Sequence, residues 1–338
     1  EASPSSHVIY EPGCMLYESK VEQAIFFPGD VGLGDAPSAH EISGNTSRIK
    51  NAVAAANEAD AVVLAVGDLV GLFQQGTVGE GSDVSSLTLP GVQQQLVDAV
   101  LDTGKPVVVI LVSGRPYDLR YASEKAAAIL GAWLPGEGGG EAVASILFGK
   151  ANPSGKTPLS FPLCAGALPY AYNHTPKAKG LPRQREFGSL YPFGFGLSYT
   201  TFSYDDFSVD SEKIPTTGVF NIALTITNTG NVAGDEIVQL YVHDMVASIV
   251  RPVKELKGFA RVSLQPAERR RVVFALSAEM LSFVSDGERR IVEPGKFEIM
   301  LGKSSEDILW RHEVSVTGSV RVLPRMWKLE TPSQIQNL

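Results

Sequence analysis

Residues 79–91 read Gly-Glu-Gly-Ser-Asp-Val-Ser-Ser-Leu-Thr-Leu-Pro-Gly, and Glu80 is the side chain best placed to exchange a proton. Glycine on both sides lets the backbone turn freely and leaves the carboxylate uncrowded. The segment follows an apolar run at 61–66, expected as a buried strand, and leads into a helix expected over 91–101. Loops after the carboxyl ends of strands in α/β sheets are where ligands usually bind. Spacing alone leaves two readings of Glu80, a proton-transfer group or a solvated turn residue.

Other chemistries lack their residues. Ser154-Gly155-Lys156-Thr157 ends like a phosphate-binding loop, but the glycine required five positions before Gly155 is Lys150. Gly302-Lys303-Ser304 fails in the same way, with Phe at 297. The run Pro135-Gly136-Glu137-Gly138-Gly139-Gly140-Glu141 places Glu, not Gly, at the last position of a dinucleotide fingerprint. Its glycines instead allow tight strand-to-helix packing, with Glu137 and Glu141 near a helix start, where negative charge is favoured. There is no Gly-x-Ser-x-Gly elbow for a serine hydrolase. The five histidines are scattered without metal-ligand spacing, so neither a metal nor a cofactor is expected. Cys14 and Cys164 stand 150 positions apart, which suits two buried or unpaired thiols better than a disulfide framework.

Size and charge narrow the class further. A chain of 338 residues is too long for one small core and suggests two domains. Net charge is −8, which gives no electrostatic footprint for nucleic acid. No apolar run approaches the roughly 18 residues needed to cross a bilayer, so no membrane association is expected. Residues 1–7 carry neither the basic start nor the apolar core of a signal peptide.

The elements that must position Glu80 change character along the chain. Residues 61–66, 106–112 and 127–133 are short Val/Ile/Leu-rich runs, as in strands buried on both faces. Between them lie amphipathic helices at 47–59 (Ile49, Val53, Ala56), 91–101 (Val92, Leu96, Val97, Val100) and 141–147. This alternation predicts an α/β/α sandwich around a mainly parallel sheet. From Phe202 onward the period becomes two: Phe220, Ile222, Leu224 and Ile226 alternate before the turn Asn228-Thr229-Gly230-Asn231. Further strands at 237–242, 255–262, 271–276 and 296–301 predict an antiparallel, immunoglobulin-like or fibronectin type III-like β-sandwich. The expected layout is an α/β domain at 1–165, an aromatic Pro/Gly-rich connector at 166–201, the sandwich at 202–317, and an extended tail at 318–338 packed against something.

Several longer motifs, taken in order, resemble one family. They are Gly79-Glu80-Gly81-Ser82-Asp83 with Leu87-Thr88-Leu89-Pro90-Gly91-Val92-Gln93, then Gly104-Lys105-Pro106 leading to Ser113-Gly114-Arg115-Pro116. Ala132-Trp133-Leu134-Pro135-Gly136-Glu137-Gly138-Gly139 and Leu147-Phe148-Gly149-Lys150-Ala151-Asn152-Pro153 follow. Tyr191-Pro192-Phe193-Gly194-Phe195-Gly196-Leu197-Ser198-Tyr199, Asn228-Thr229-Gly230 and Arg251-Pro252-Val253-Lys254-Glu255-Leu256-Lys257-Gly258-Phe259 complete the set. Over residues 8–317 the chain resembles the C-terminal portion of glycoside hydrolase family 3, particularly its bacterial periplasmic β-glucosidases.

That resemblance implies a retaining exo-β-glycosidase acting on terminal glucosyl residues, with β-xylosidase as the alternative within the family. It assigns the acid/base role to Glu80, with Asp83 or Asp68 as competing loop carboxylates. The nucleophile is expected as an Asp in a Ser-Asp-Trp-like motif on a (β/α)8 barrel, which these 338 residues lack. Either another chain supplies the barrel or the sequence is a fragment; the barrel, an oligosaccharide or alkyl/aryl β-glycoside, and a second copy are the expected partners. The competing class is a non-catalytic carbohydrate-binding or structural module, and a Ser-Asp-Trp-bearing barrel upstream in the gene would separate the two. The resemblance also suggests a periplasmic or secreted location.

Other residues carry two readings each. Phe73, beside Gln74 and Gln75, either stacks on a sugar or anchors its loop; with Asp83 it is a candidate substrate contact. Trp133 is expected in the core rather than as a sugar platform, Arg115 at the active-site rim or in a salt bridge, and Asn173-His174 at the barrel mouth or in solvent. Leu69, Val70, Leu72 and Phe73 are expected to form an exposed apolar patch that packs on the barrel. Many relatives carry Arg where this chain has Val84, so an ion pair fixing the loop is expected to be missing.

Overall fold

Three short apolar runs build the sheet that carries the Glu80 loop: β1 (Val62–Gly67), β2 (Val107–Val112) and β3 (Ala128–Gly131), parallel and in that order. The structure, a computed structural model, describes residues 6–18, 41–71, 76–176, 178 and 188–338. These fall into two units, Glu1–Lys150 with Pro162–Leu168, and Ala151–Phe161 with Pro169–Leu338.

In the first unit the helices are α1 (Ile49–Glu58), α2 (Gln93–Leu101), α3 (Arg120–Lys125) and α4 (Gly139–Leu147). α2 packs against α1, α3 and β1. It buries Leu96, Val97 and Val100 almost completely. Each such side chain contributes about 1.5–3 kcal/mol on burial. The expectation of strands buried on both faces holds best for β2, with Val107, Val109, Ile110 and Leu111 all buried. In β1 it fails: Leu64 and Val66 are buried, whereas Val63 is 60% exposed. Alternate side chains of a strand point to opposite faces, and the Val63 face of β1 is uncovered among the described residues. Trp133 also departs from expectation. It lies beyond the end of β3, half-buried, with φ +53, a backbone state bulky residues seldom adopt.

The second unit is a β-sandwich. One sheet orders strands Glu255–Leu264, Gly234–Asp244, Gly295–Gly302, Ile308–Thr317 and Lys213–Pro215, antiparallel except for the last pair. The other orders Ser333–Asn337, Arg269–Ser277, Val219–Asn228 and Phe202–Val209, all antiparallel. Period-two side chains from both, including Phe220, Ile222, Leu224, Leu240, Val242 and Ile299, interleave as one core. Asn228, fully buried at the predicted turn, accepts from Thr200 Oγ1 and Gly230 N and donates to the carbonyls of Val232 and Leu264. Its amide is therefore satisfied, as burial of a polar group requires. Residues 151–161, read from the sequence as part of the first domain, lie with this unit. Asn152 shows why: its Oδ1 accepts from Ser198 Oγ and Tyr199 N, and its Nδ2 donates to Ala233 O.

Candidate active site

The register of β1 on β2 brings the site together. Gly67 pairs with Val112, so both strands end level and the segments after them, from Asp68 and from Ser113, emerge side by side. Gln93, the first residue of α2, seals the end of β1. Its Nε2 donates to Gly67 O and its Oε1 accepts from Gly67 N, both at 2.8 Å, and Nε2 also donates to Pro90 O at 3.0 Å.

The loop then folds back on itself. Thr77 N donates to Leu69 O and Gly71 N donates to Val78 O, a short parallel pairing in which Val70 faces Val78. Gly79, with φ +130, is required here because a Cβ would lie 2.1 Å from the Gly71 carbonyl. Ser82 N donates to Gly79 O at 3.1 Å, closing a turn with Glu80 at its apex. Gly81, at φ +74, fills the position that a type II turn reserves for glycine. Glu80 is exposed and makes no hydrogen bond or ion pair among the described residues.

Two groups brace this apex from below. Asp68 accepts from Thr77 Oγ1 at 2.7 Å, from Gly114 N at 3.1 Å and from the Tyr117 hydroxyl. Tyr117 is buried, and burial, reinforced by the hydrogen bond to Asp68, pushes its hydroxyl far above the ordinary tyrosine range. The phenol therefore stays a donor. Arg115 Nη2 donates to Thr77 O at 2.9 Å and to Ser82 O at 2.6 Å. Of the two expected roles, Arg115 makes no ion pair among the described residues and instead binds main-chain carbonyls of the loop on both sides of Glu80. Asp68 and Arg115 together thus hold Thr77 and Ser82, on either side of Glu80.

Asp68 and Glu80, both candidates from the sequence, have different surroundings. The Asp68 carboxylate is occupied by three donors that hold the loop, while Glu80 faces solvent. Asp83 is exposed and lines a cavity of about 420 Å³ with Tyr17, Ser82, Ser86, Thr88 and Tyr117, of which Glu80 is not a lining residue. Phe73, Gln74, Gln75 and Leu72 lie outside the described residues. Leu69 and Val70, from the expected apolar patch, are 42% and 55% exposed. Cys14 and Cys164 are half-buried thiols. Sequence reasoning missed the bracing by Gln93, Thr77 and Tyr117. A usable signal was present for part of it, since strands that end level must set Gly67-Asp68 beside Ser113-Gly114-Arg115.

Residues 16–199 match the glycosyl hydrolase family 3 C-terminal domain, and residues 236–305 match the fibronectin type III-like domain. The first match covers more than half of the chain. The chain belongs to glycosyl hydrolase family 3. Relatives within the family include a β-xylosidase of Formosa agariphila, 44% identical over 259 residues, and a periplasmic β-glucosidase of Salmonella typhimurium, 41% identical over 268 residues. These alignments take in 75% and 76% of the chain but 35% and 34% of the relatives. A β-glucosidase from Listeria innocua, crystallised in complex with glucose, is similar at TM-score 0.74 and 34% identity, over 81% of this chain and 39% of that one. The family 3 chain described here therefore spans about a third of the length of its curated relatives.

Proposed function

We propose that this chain is the acid/base-bearing portion of a retaining exo-β-glycosidase that hydrolyses terminal, non-reducing β-D-glucosyl residues, with Glu80 as the general acid and base. The observation that carries the reading is the contrast at the loop. Glu80 stands exposed at the apex of a turn whose shoulders Arg115 and Asp68 hold, so among the described residues its carboxyl has no protein contact to break before meeting a substrate. A retaining glycosidase needs a nucleophilic carboxylate about 5–5.5 Å from the acid, across the scissile bond. That nucleophile is assigned to a barrel, in line with the two thirds of the relatives' length outside the aligned region.

In the first step the nucleophile bonds to the anomeric carbon while the bond to the glycosidic oxygen breaks. Glu80 gives its proton to that oxygen, so the aglycone leaves as an alcohol. In the second step the Glu80 carboxylate takes a proton from water as the water oxygen attacks the anomeric carbon. The nucleophile is released and Glu80 is again protonated. Asp83, on the same loop, is assigned to a hydroxyl of the sugar or aglycone. A second reading, β-xylosyl specificity, is favoured by the similarity to the Formosa β-xylosidase. A periplasmic or secreted location rests on the name of the Salmonella relative.

The test is Glu80→Gln in a barrel-containing enzyme. Alkyl and oligosaccharide β-glucosides should lose about 10²–10⁴-fold in turnover. Dinitrophenyl glucoside, whose leaving group departs without a proton, should lose far less, and azide should restore turnover with formation of a β-glycosyl azide. Equal loss on both substrate classes, without azide rescue, would remove Glu80 from the role. The 338-residue chain alone should fold and show no turnover of aryl β-glucosides; turnover abolished by mutating one of its own carboxylates would refute the barrel-borne nucleophile.

A further inference from the structure

The outer face of the five-stranded sheet holds a second cavity, of about 270 Å³, built only from residues of the β-sandwich unit. Val242 and Ile299 point into the sandwich core. Their strand neighbours His243 and Glu298 therefore face outward, paired across Gly234–Asp244 and Gly295–Gly302. Arg311, opposite Met300 on the next strand, donates to Glu298 at 2.7 Å.

A stretch of chain before the sandwich roofs this face and is held in place. Tyr172 stacks on Phe193 with ring centroids 4.2 Å apart, meets Tyr241 edge-on at 5.9 Å, and accepts from Leu256 N through its hydroxyl. The His174 carbonyl accepts from Val253 N at 3.0 Å. Tyr170 donates to Glu306 at 3.3 Å, and Ser189 donates to the same carboxylate oxygen at 2.9 Å. The pocket walls are thus pre-organised by contacts that a ligand need not supply.

The lining specifies the ligand's chemistry. Two cations, Lys254 and Arg311, are balanced by two carboxylates, Glu298 and Glu306, so no net charge is selected. Donors and acceptors are mixed, which suits a molecule bearing several hydroxyls. Tyr170 and His174 set their rings side by side, centroids 6.1 Å apart, and offer carbon surface to the flat face of a ring. Ser305, only 1% exposed, lines the same cavity, and its hydroxyl has no hydrogen-bond partner among the described residues. A buried hydroxyl left so is an exception in native structures. The volume falls just below the roughly 300–1,000 Å³ of pockets for drug-sized ligands, and so fits one small ring.

We propose that this pocket binds a single neutral pyranose, the end or a branch of a glycan, through the sandwich unit itself. The site does not depend on the assignment of Glu80.

The experiment is an NMR titration of the full 338-residue chain with methyl β-D-glucopyranoside, observing the ring resonances of Tyr170, His174 and His243. Saturable shifts at millimolar concentration are expected, as for a weak site of about −4 kcal/mol. Tyr170→Ala should weaken binding at least about tenfold, or 1.4 kcal/mol, and Glu80→Gln should leave the titration unchanged. If Tyr170→Ala fails to fold, Arg311→Ala, at an exposed rim position, serves in its place and should give the same loss. No saturable shift up to about 100 mM, shifts that persist in the folded variant, or a response to inorganic phosphate in place of the sugar would each overturn the proposal.

Discussion

Arg115 and Ser82 are joined by a 2.6 Å hydrogen bond from the guanidinium to the main-chain carbonyl two residues beyond Glu80. Because the same nitrogen also holds Thr77 O, one side chain spans the turn. Arg115→Ala in a barrel-containing enzyme should lower kcat by about 10–100-fold with little change in KM, since it misplaces the acid rather than removing a substrate contact. Amide exchange over residues 77–82 should rise in parallel. Lysine cannot reproduce the planar fork, so Arg115→Lys should fall between. A parental exchange rate in Arg115→Ala would show that the clamp is not needed.

Asp68→Asn distinguishes bracing from proton transfer. An amide oxygen in the Oδ1 position can still accept from both Tyr117 and Thr77, but the amide nitrogen cannot accept from Gly114 N at the other position. The expected cost is about 1–3 kcal/mol of local stability. Turnover should fall equally for good and poor leaving groups, and azide should not restore it. A leaving-group-dependent loss would move the acid/base role to Asp68.

Gly79→Ala tests close approach as opposed to backbone strain. At Gly79 the new Cβ would meet the Gly71 carbonyl at 2.1 Å, whereas at Gly104, φ +72, nothing lies within 4 Å. Gly104→Ala should therefore cost only about 1 kcal/mol of conformational strain. Gly79→Ala should open the loop, seen as loss of amide protection at Gly71 and Thr77 while β2 stays protected. Equal effects of the two substitutions would count against the packed loop.

The sandwich unit should lose stability as pH rises from about 4 to about 6. Burial pushes the Asp244 carboxyl up to about 6, opposed by Arg251 at 3.7 Å and reinforced by Glu293 and Glu255. An unfolded aspartate titrates near 3.9, so between these values the native state holds a proton that the unfolded state has lost. Ionising the buried group then costs on the order of 2–3 kcal/mol, fully expressed above pH 6 and absent below pH 4. Asp244→Asn should remove that part of the pH slope, whatever constant offset it adds. Urea unfolding at pH 4 and pH 7 checks this, and identical slopes in variant and parent would exclude Asp244 as the source.

What could be read from the sequence follows the range of the interactions. The alternation Phe220, Ile222, Leu224, Ile226 announces a strand because each residue needs only its neighbours to show the pattern. Glu80 is conspicuous for the same reason, its glycines being adjacent. The partners of Asp68 lie 9, 46 and 49 residues away, so nothing local marks that carboxylate as a brace. Trp133 ends an apolar run that looks continuous, yet the strand stops at Gly131 and the chain turns through a left-handed residue. The outward pairing of His243 with Glu298 depends on strand register, which neither strand encodes alone.

Strand Ser333–Asn337 closes one edge of the four-stranded sheet by pairing with Arg269–Ser277. On a ribosome, that sheet waits for its edge until some sixty further residues have been made and released from the exit tunnel. Until then Arg269–Ser277 presents a row of unpaired amides and carbonyls, the kind of template that draws in foreign strands. The charges of Arg269, Arg270 and Arg271 on that strand guard it during the interval. Completion of this sheet is thus timed by translation, and a pause near residue 320 is when its edge would be most open to capture by a chaperone.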